Sequence, residues 1–310
     1  MEKRTFGKTG LEVSVLGFGG APIGVLETGQ NHVARLLNLL LDRGVNVIDT
    51  AAGYRGSEEA IGRAVGHRRD EFVLISRCGN PMADLPGAAW SPELIGHTID
   101  RSLRRLQTDR LDVMLLHTCD LSTLERGEAV AALVKAREQG KIRFAGYSGD
   151  NEAVVYAAKH SEIAVIETSI SICDQANIDC LLPIARDRQI GVIVKRPLAN
   201  AAWKQLSEQP GFYAEYAKTY TERLAEMDLT PGDLGFPGEP HEVWPEIAFR
   251  FALMQPGAHT AIIGTTNSDH AETNIALADK GPLSDETAQR LREVFLAAQS
   301  HSGMTWAGLT

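Results

Sequence analysis

Four side chains in the first half of this 310-residue chain have types that can carry proton-transfer chemistry: Asp49, Tyr54, Arg77 and His117. Phenol, imidazole and carboxyl groups donate or accept protons, and a guanidinium stabilises negative charge. Taken singly, each has a plainer interpretation: Asp49 as the cap of a turn or helix, Tyr54 as a half-buried aromatic, Arg77 as half of a surface ion pair. They form a candidate catalytic site only if the fold brings them together.

The elements that must position these residues repeat as short apolar runs followed by helical segments. Eight runs predict strands: VSVLGFGG, VNVIDT, EFVLIS, LDVMLLH, IRFAGYS, IAVIETS, GVIVKRP and TAIIGT. Strands that alternate with helices predict a parallel sheet covered by helices, and eight units in about 300 residues favour a (β/α)8 TIM barrel over an open sheet. The segment RTFGKTGLEVSVLGFG adds a predicted N-terminal β-hairpin that closes the barrel bottom.

A barrel gives the four polar residues a common location, because barrel active sites lie at the C-terminal ends of the strands. Asp49, Arg77 and His117 close the second, third and fourth predicted strands. Tyr54 lies in the loop after the second strand. We therefore expect all four side chains at one mouth of the barrel, where a reacting group can meet them together.

The chain is predicted to be a single domain over 1–310, with two additions to the repeating pattern. Residues 203–245, rich in glycine, proline and aromatic residues, predict an insertion that acts as a substrate loop, and residues 284–310 predict a C-terminal helix and tail. Trp90 and Trp203 are the expected walls of the substrate pocket. Aromatic walls suit an apolar or sugar-like carbonyl compound, and they suit ordinary lid packing as well.

Composition narrows the function classes. The formal net charge is −9, with acidic and basic residues interspersed, so a nucleic-acid or anionic-membrane surface is not expected. The first residues are too polar for a secretory signal, which predicts a cytoplasmic protein. The four cysteines form no CxxC pair and predict reduced thiols. No metal is expected; the alternative, zinc held by Cys78, His117 and Cys119, lacks a further ligand at a strand end.

Two longer segments resemble a known family. GVNVIDTAAGYRGSEEAIGRAV and SLRRLQTDRLDVMLLH are similar to the two signatures of the aldo-keto reductases, and the order of elements matches from FGKTGLEVSVLGFGG to AIIGTTN. The resemblance implies reduction of an aldehyde or ketone, or the reverse oxidation of an alcohol, by hydride from NADPH, with NADH possible. It gives Tyr54 the role of general acid and His117 that of orienting the carbonyl oxygen.

The chain departs from this family at the cation that activates the tyrosine. A free tyrosine titrates at about pH 10, so a proton donor at neutral pH needs a cation to stabilise its phenolate. The family uses a lysine paired to the aspartate, here Asp49, but its Thr-Lys reads Ser-Arg in FVLISRCGN, which places Arg77 at the lysine position. Arginine keeps the positive charge but is bulkier and does not give up a proton.

The resemblance also implies a cofactor site, and several of its positions differ from the family. A Ser-Asn pair becomes Ser148 and Gly149, a carboxamide-binding glutamine becomes Glu167, and the arginine that binds NADPH becomes His270. Arg196 is a candidate stacking platform in place of an aromatic, or else half of a salt bridge at the rim. The complete set of expected cofactor contacts is Gly20, Ala21, Asp49, Ser148, Gly149, Glu167, Arg196, Pro197, Leu198, Gly264, Thr265, Thr266, Asn267, His270 and Asn274.

Two functions follow from this pattern. The first is an NAD(P)H-dependent oxidoreductase whose partner is a small-molecule carbonyl compound contacted by Trp90, Trp203, Tyr54 and His117, working as a monomer or weak homo-oligomer. The alternative is a catalytically impaired NAD(P)H-binding sensor or partner protein of the same fold. Arg77, Gly149 and Glu167 favour the alternative, whereas Asp49, Tyr54 and His117 favour the enzyme.

Overall fold

Eight parallel strands close into a barrel in the computed structural model, which describes residues 1–26, 28–209 and 211–309. The barrel runs in chain order, with the last strand paired to the first. Its strands are β3 (Leu16–Gly19), β4 (Val47–Asp49), β5 (Val73–Cys78), β6 (Leu111–His117), β7 (Ile142–Ser148), β8 (Ile163–Ser169), β9 (Gly191–Lys195) and β10 (Thr260–Ile263). The predicted (β/α)8 TIM barrel is confirmed.

The strands are apolar along most of their length because both of their faces are buried. Inside the barrel, branched side chains such as Val47, Ile75 and Val113 form one core cluster. Outside it, alternate strand residues such as Ile48 and Leu74 pack against the surrounding helices in a larger cluster. A parallel sheet covered by helices requires this continuous apolar character, which is why the strands are recognisable in the sequence as short apolar runs between helical segments.

Thirteen α-helices lie among the described residues. They are α1 (Ala21–Val25), α2 (Gln30–Asp42), α3 (Ser57–Val65), α4 (Pro92–Leu106), α5 (Leu121–Arg126), α6 (Glu128–Glu138), α7 (Asn151–Lys159), α8 (Ala176–Cys180), α9 (Leu182–Asp187), α10 (Gly211–Met227), α11 (Pro240–Met254), α12 (Ser268–Ala278) and α13 (Asp285–Ser302). Where LERGEAVAALVKAREQG predicted one helix, Gly127 adopts φ +75° and separates α5 from α6. In the part of the chain described, no helix has the length and apolar character needed to cross a membrane.

The N-terminal hairpin plugs the bottom of the barrel, as predicted. Strands β1 (Lys3–Thr5) and β2 (Glu12–Ser14) pair antiparallel, and between them the fully buried Phe6 joins the cluster inside the barrel. The next residue, Gly7, has φ +53°, and a Cβ atom there would lie 2.5 Å from the backbone nitrogen of Gly191 at the start of β9. Glycine is therefore required at position 7 for the turn and for the close approach to the barrel.

The 203–245 insertion is largely helical rather than an open loop. It contains α10 and the start of α11. Pro210 of the insertion and Thr310 of the tail lie outside the described residues, as does Glu27 near the start of the chain. A separate apolar cluster joins Tyr220, Trp244, Phe295 and Trp306 from α10, α11, α13 and the tail. This packing places the insertion and the C-terminal residues beside the loops that follow β8 and β9.

Gly7→Ala tests the hairpin plug, with Gly10→Ala as the matched control. Gly10 also has a positive φ, +69°, but a Cβ atom there would meet nothing within 4 Å. We expect Gly10→Ala to lower the free energy of unfolding by about 1 kcal/mol from backbone strain alone, and Gly7→Ala by about 2–4 kcal/mol because a steric clash is added. Urea unfolding followed by circular dichroism measures both, and equal losses would contradict the close approach.

Candidate active site

The four side chains singled out from the sequence meet at the C-terminal mouth of the barrel. Asp49 ends β4, Arg77 lies one residue before the end of β5, and His117 ends β6. The Nη1 atom of Arg77 donates to the Tyr54 hydroxyl at 2.7 Å, and its Nη2 atom donates to Asp49 Oδ2. The rings of Tyr54 and His117 meet edge to face with centroids 6.0 Å apart. The structure thus places a phenol between a guanidinium and an imidazole.

A second carboxylate, Glu167 on β8, also binds Arg77. Arg77 Nε donates to Glu167 Oε2 at 3.1 Å, and Nη2 donates to Oε1 at 2.8 Å. The side chains of Arg77, Glu167 and Asp49 are only 3%, 2% and 1% exposed, so the contacts are shielded from water. Sequence reasoning considered Glu167 only as a cofactor contact. A signal for its pairing with Arg77 was present, because positions 77 and 167 both depart from the family pattern at the same mouth of the barrel.

Charge and burial set the protonation states at the mouth. Burial opposes the charge on Arg77, but the carboxylates of Asp49 and Glu167 raise its pKa above the ordinary value, so the guanidinium stays charged. Burial raises the pKa of Tyr54 to about 12, against the opposing effect of Arg77. Burial, then the charges of Arg77 and Lys195, lower the pKa of His117 to about 3. The phenol is therefore protonated at neutral pH and the imidazole is neutral.

The site offers an acceptor that suits the dinucleotide implied by the resemblance. Asp49 Oδ1 is buried and has no hydrogen-bond partner among the described residues, whereas Oδ2 is bound to Arg77. A buried carboxylate oxygen without a donor is costly, and a ligand hydroxyl at this point would satisfy it. The N–H of Gly20, the residue after β3, donates to the backbone carbonyl oxygen of Asp49 at 2.7 Å, and Ala21 begins α1 beside it.

The expected carboxamide contacts lie at the ends of β7 and β8. Ser148 ends β7 and is buried. The Gly149 N–H donates to the Glu167 carbonyl oxygen at 3.0 Å. A Cβ atom at Gly149 would lie 2.5 Å from the hydroxyl oxygen of Tyr147, so a side chain at this position would require Tyr147 to move. Glu167 is in reach of this corner, but both of its oxygens already accept from Arg77.

The expected phosphate contacts surround the start of α12. Gly264 is exposed and Thr265 and Thr266 are half-buried in the loop after β10. The Asn267 side chain caps α12 by accepting from the N–H groups of Asp269 and His270, so these two amides are engaged within the chain. His270 is exposed and Asn274 is buried in the helix. The dipole of α12 favours an anionic group in this loop, whereas two of the amides that could bind the anion are taken by the Asn267 side chain.

Arg196, the predicted stacking platform, is held by the C-terminal tail. It has φ +56°, its guanidinium lies over the Tyr216 ring at 5.5 Å, and it donates to Ser169 Oγ at 3.4 Å and to the Leu309 carbonyl oxygen. Pro197 is buried and Leu198 is half-buried in the same loop. The guanidinium therefore lies over a ring of the protein and connects the loop after β9 to the C-terminal tail.

Two buried aspartates that the sequence analysis missed anchor this side of the mouth. Asp150 pairs with Lys195 at 3.0 Å and accepts from Thr168 and Asn177. Asp174 Oδ2 accepts from the Tyr220 hydroxyl at 2.9 Å and from the Leu309 N–H at 3.1 Å. Asp150 follows the predicted strand IRFAGYS, and Lys195 lies near the end of GVIVKRP. The rule that barrel sites lie at the C-terminal ends of strands, which located the other four residues, therefore applied to this pair as well.

The two tryptophans expected to line the pocket occupy different settings. Trp90 has φ +64° and packs its ring on Gly79, directly after β5, so that no side chain fits at Gly79. Trp203 stacks on Trp244 with centroids 6.4 Å apart, and its indole N–H is buried without a partner among the described residues. Trp90 therefore lies next to the strand that carries Arg77, and Trp203 belongs to the apolar cluster of the insertion.

The cysteines near the mouth are protonated. Burial raises the pKa of the Cys119 thiol to about 12 and also raises the pKa of the Cys78 thiol. Across residues 1–26, 28–209 and 211–309, no three or more His, Cys, Asp or Glu side chains are grouped so that they could hold a metal ion.

Comparisons with known proteins agree on one family. The model of the Aldo/keto reductase family matches residues 15–295. The chain is 25% identical to the L-galactose dehydrogenase of Arabidopsis thaliana, covering 99% of this chain and 97% of that protein. It is 27% identical to the NADH-specific methylglyoxal reductase of Escherichia coli, covering 95% and 98%. The holo form of an aldo-keto reductase from Bacillus halodurans superposes with a TM-score of 0.78 at 26% identity, covering 95% and 96%.

The neutral state of His117 is testable by NMR. Because burial and two nearby cations lower its pKa to about 3, we expect its ring signals to stay constant between about pH 5 and pH 8. A free imidazole, with an ordinary pKa of about 6.5, would titrate across this range. The signal is assigned by its loss in His117→Gln, and a midpoint near the ordinary value would contradict the buried, neutral imidazole.

Asp174 makes stability depend on pH. Burial and the charge of Asp150 raise its pKa to about 7, so its stabilising contribution is complete below the unfolded pKa of about 4 and is lost as pH rises to about 7. Asp174→Asn keeps an acceptor for Tyr220 and Leu309 but cannot ionise. We expect its free energy of unfolding to rise relative to that of the parent between about pH 4 and about pH 7, by at most roughly 1.4 kcal/mol per pH unit.

Urea unfolding at several pH values measures this difference. The control is Asp187→Asn, which changes an exposed carboxylate at the end of α9, and the effect of Asp174→Asn is read relative to it at each pH. A relative effect of Asp174→Asn that is flat with pH would show that this carboxyl keeps its ordinary pKa in the folded protein.

Proposed function

The chain belongs to the aldo/keto reductase family, and from that premise we propose that it transfers hydride between a nicotinamide dinucleotide and a small aldehyde or ketone. Tyr54 is the general acid in this proposal. The observation that supports it best is the 2.7 Å hydrogen bond from Arg77 Nη1 to the Tyr54 hydroxyl, with Asp49 holding the same guanidinium. A cation in direct contact with the phenol stabilises the phenolate that remains after the proton is donated.

The dinucleotide, when bound, supplies the hydride. The neutral imidazole of His117 orients the carbonyl oxygen beside Tyr54, since the two rings already meet edge to face. Tyr54 transfers its hydroxyl proton to that oxygen as negative charge develops there, which yields the alcohol. Arg77 stabilises the phenolate that remains until solvent restores the proton. In alcohol oxidation the same groups act in reverse, with the phenolate accepting the proton.

The cofactor is proposed to be NADPH, with NADH possible. Asp49 would accept from a cofactor hydroxyl through its free oxygen, and the loop Gly264–Asn267 would receive a phosphate. Position 270 carries a histidine rather than the expected arginine, and a neutral imidazole holds a 2′-phosphate less firmly than a guanidinium. Because of this substitution, and because one relative is NADH-specific, the proposal includes both NADPH and NADH.

Cofactor binding and turnover test the proposal together. We expect NADPH or NADH to quench the tryptophan fluorescence of the purified protein, and a panel of aldehydes and ketones to oxidise the bound nucleotide. Tyr54→Phe removes the acid, so kcat is expected to fall by about 10²–10⁴-fold while the cofactor Kd changes by less than about 2-fold. Tyr156→Phe, which changes a tyrosine on the outer helix α7, is the control and is expected to retain full activity.

The outcomes separate the two functions drawn from the sequence. Binding with turnover that depends on Tyr54 supports the reductase. Binding without turnover across the whole panel would contradict it and favour the cofactor-binding sensor. Failure to bind either nucleotide would contradict both functions.

A further inference from the structure

We propose that Glu167 is a positioning residue that holds the guanidinium of Arg77 in the orientation needed to contact Tyr54. The inference rests on the proposed function only for its effect on turnover. It is carried by the contacts around Arg77, in which the three donor nitrogens are divided between Asp49, Glu167 and Tyr54. Neither the family match nor the related proteins assign Glu167 this role.

The contact between Arg77 and Glu167 is a side-on fork. Nε and Nη2, two donors on one edge of the guanidinium plane, face the Glu167 carboxylate: Nε donates to Oε2 at 3.1 Å, and Nη2 lies 2.8 Å from both Oε1 and Oε2. A paired fork fixes the plane of the guanidinium as well as its position. Once that edge is fixed, the remaining nitrogen, Nη1, can point in only one direction, and there it meets the Tyr54 hydroxyl at 2.7 Å.

Asp49 alone does not fix this orientation. It accepts only from Nη2, so the guanidinium could turn about that contact and withdraw Nη1 from Tyr54. Glu167 reaches the site from β8, three strands along the barrel from β5, and approaches from a different direction than Asp49 on β4. Two carboxylates on separate strands therefore hold one planar cation, and it is the two-donor contact with Glu167, not the single contact with Asp49, that fixes its plane.

The number of donors and acceptors explains why the pair Arg77 and Glu167 belongs together. A fork with two donors needs two acceptors, and a glutamine at position 167 would offer one acceptor and place an amide N–H₂ against an arginine donor. A lysine at position 77 is a single point of charge and would leave the Glu167 carboxylate buried without its fork. Arginine with glutamate, or lysine with glutamine, satisfies the site; the mixed pairs do not.

A double-mutant cycle with Arg77→Lys, Glu167→Gln and the combined variant tests the inference. We expect each single substitution to lower kcat by about 10–100-fold, with a smaller effect on KM. The combined variant is expected to lose at least about tenfold less than the product of the two single losses, because its donors and acceptors match again. Glu58→Gln, which changes a carboxylate that is 1% exposed and accepts from Ser76 rather than Arg77, is the matched control.

An NMR measurement on the cofactor-free protein gives a readout that does not need activity. In the parent protein we expect a slowly exchanging Arg77 Nε–H and resolved Nη signals, because the fork blocks rotation of the guanidinium; the signals are assigned by their loss in Arg77→Lys. Glu167→Gln is expected to accelerate the exchange and merge the Nη signals, whereas Glu58→Gln leaves them unchanged.

Each outcome decides the inference. Unchanged Arg77 signals in Glu167→Gln, together with single losses that simply multiply in the combined variant, would overturn it. A weaker cofactor Kd with unchanged Arg77 signals would also overturn it and would assign Glu167 to the cofactor instead. If the parent protein turns over no carbonyl substrate, the proposed function fails, and the NMR result alone supports or overturns the positioning role.

Discussion

The mouth of this barrel is organised around one buried positive charge. Removing a guanidinium from water is unfavourable unless its donors are paired, and Arg77 is 3% exposed. The chain satisfies it with Asp49 from β4 and Glu167 from β8, and its remaining contact is the hydroxyl of Tyr54. The carboxylates keep the guanidinium charged, and the guanidinium keeps the carboxylates from being unpaired charges. The position of the phenol, and with it the proposed chemistry, depends on this mutual pairing of buried charges.

A second buried cluster at the mouth is stabilised in the same way, with the signs of the charges reversed. There the buried group is a carboxylate, Asp150, and Lys195 supplies the charge at 3.0 Å while Thr168 and Asn177 donate to it. The second aspartate, Asp174, is held by hydrogen bonds, one of them from the backbone N–H of Leu309. Buried charges therefore connect strand ends in the first cluster, and strand ends, the insertion and the tail in the second.

The fold and the location of the site were accessible from the sequence because both depend on regular patterns. Apolar runs alternating with helical segments specify the barrel, and the barrel places the ends of all its strands at one mouth, which correctly gathered Asp49, Tyr54, Arg77 and His117. The contact between Arg77 and Glu167 was not accessible, because it joins strands three apart and depends on side-chain orientation. The helical character of the 203–245 insertion was missed because its many glycines, prolines and aromatic residues resemble a loop, whereas its helix is stabilised by tertiary packing.

The protonation states favour one direction of the proposed reaction at neutral pH. Burial and the two carboxylates outweigh the effect of Arg77 and leave the pKa of Tyr54 at about 12, so the resting phenol holds its proton. Such a phenol is still a stronger acid than an alcohol, whose pKa is close to that of water at about 16, so proton transfer to a developing alkoxide is downhill. Alcohol oxidation needs the phenolate, which is scarce at neutral pH. The second carboxylate thus has two opposed effects: it holds the cation in place, and its charge makes the phenolate harder to form.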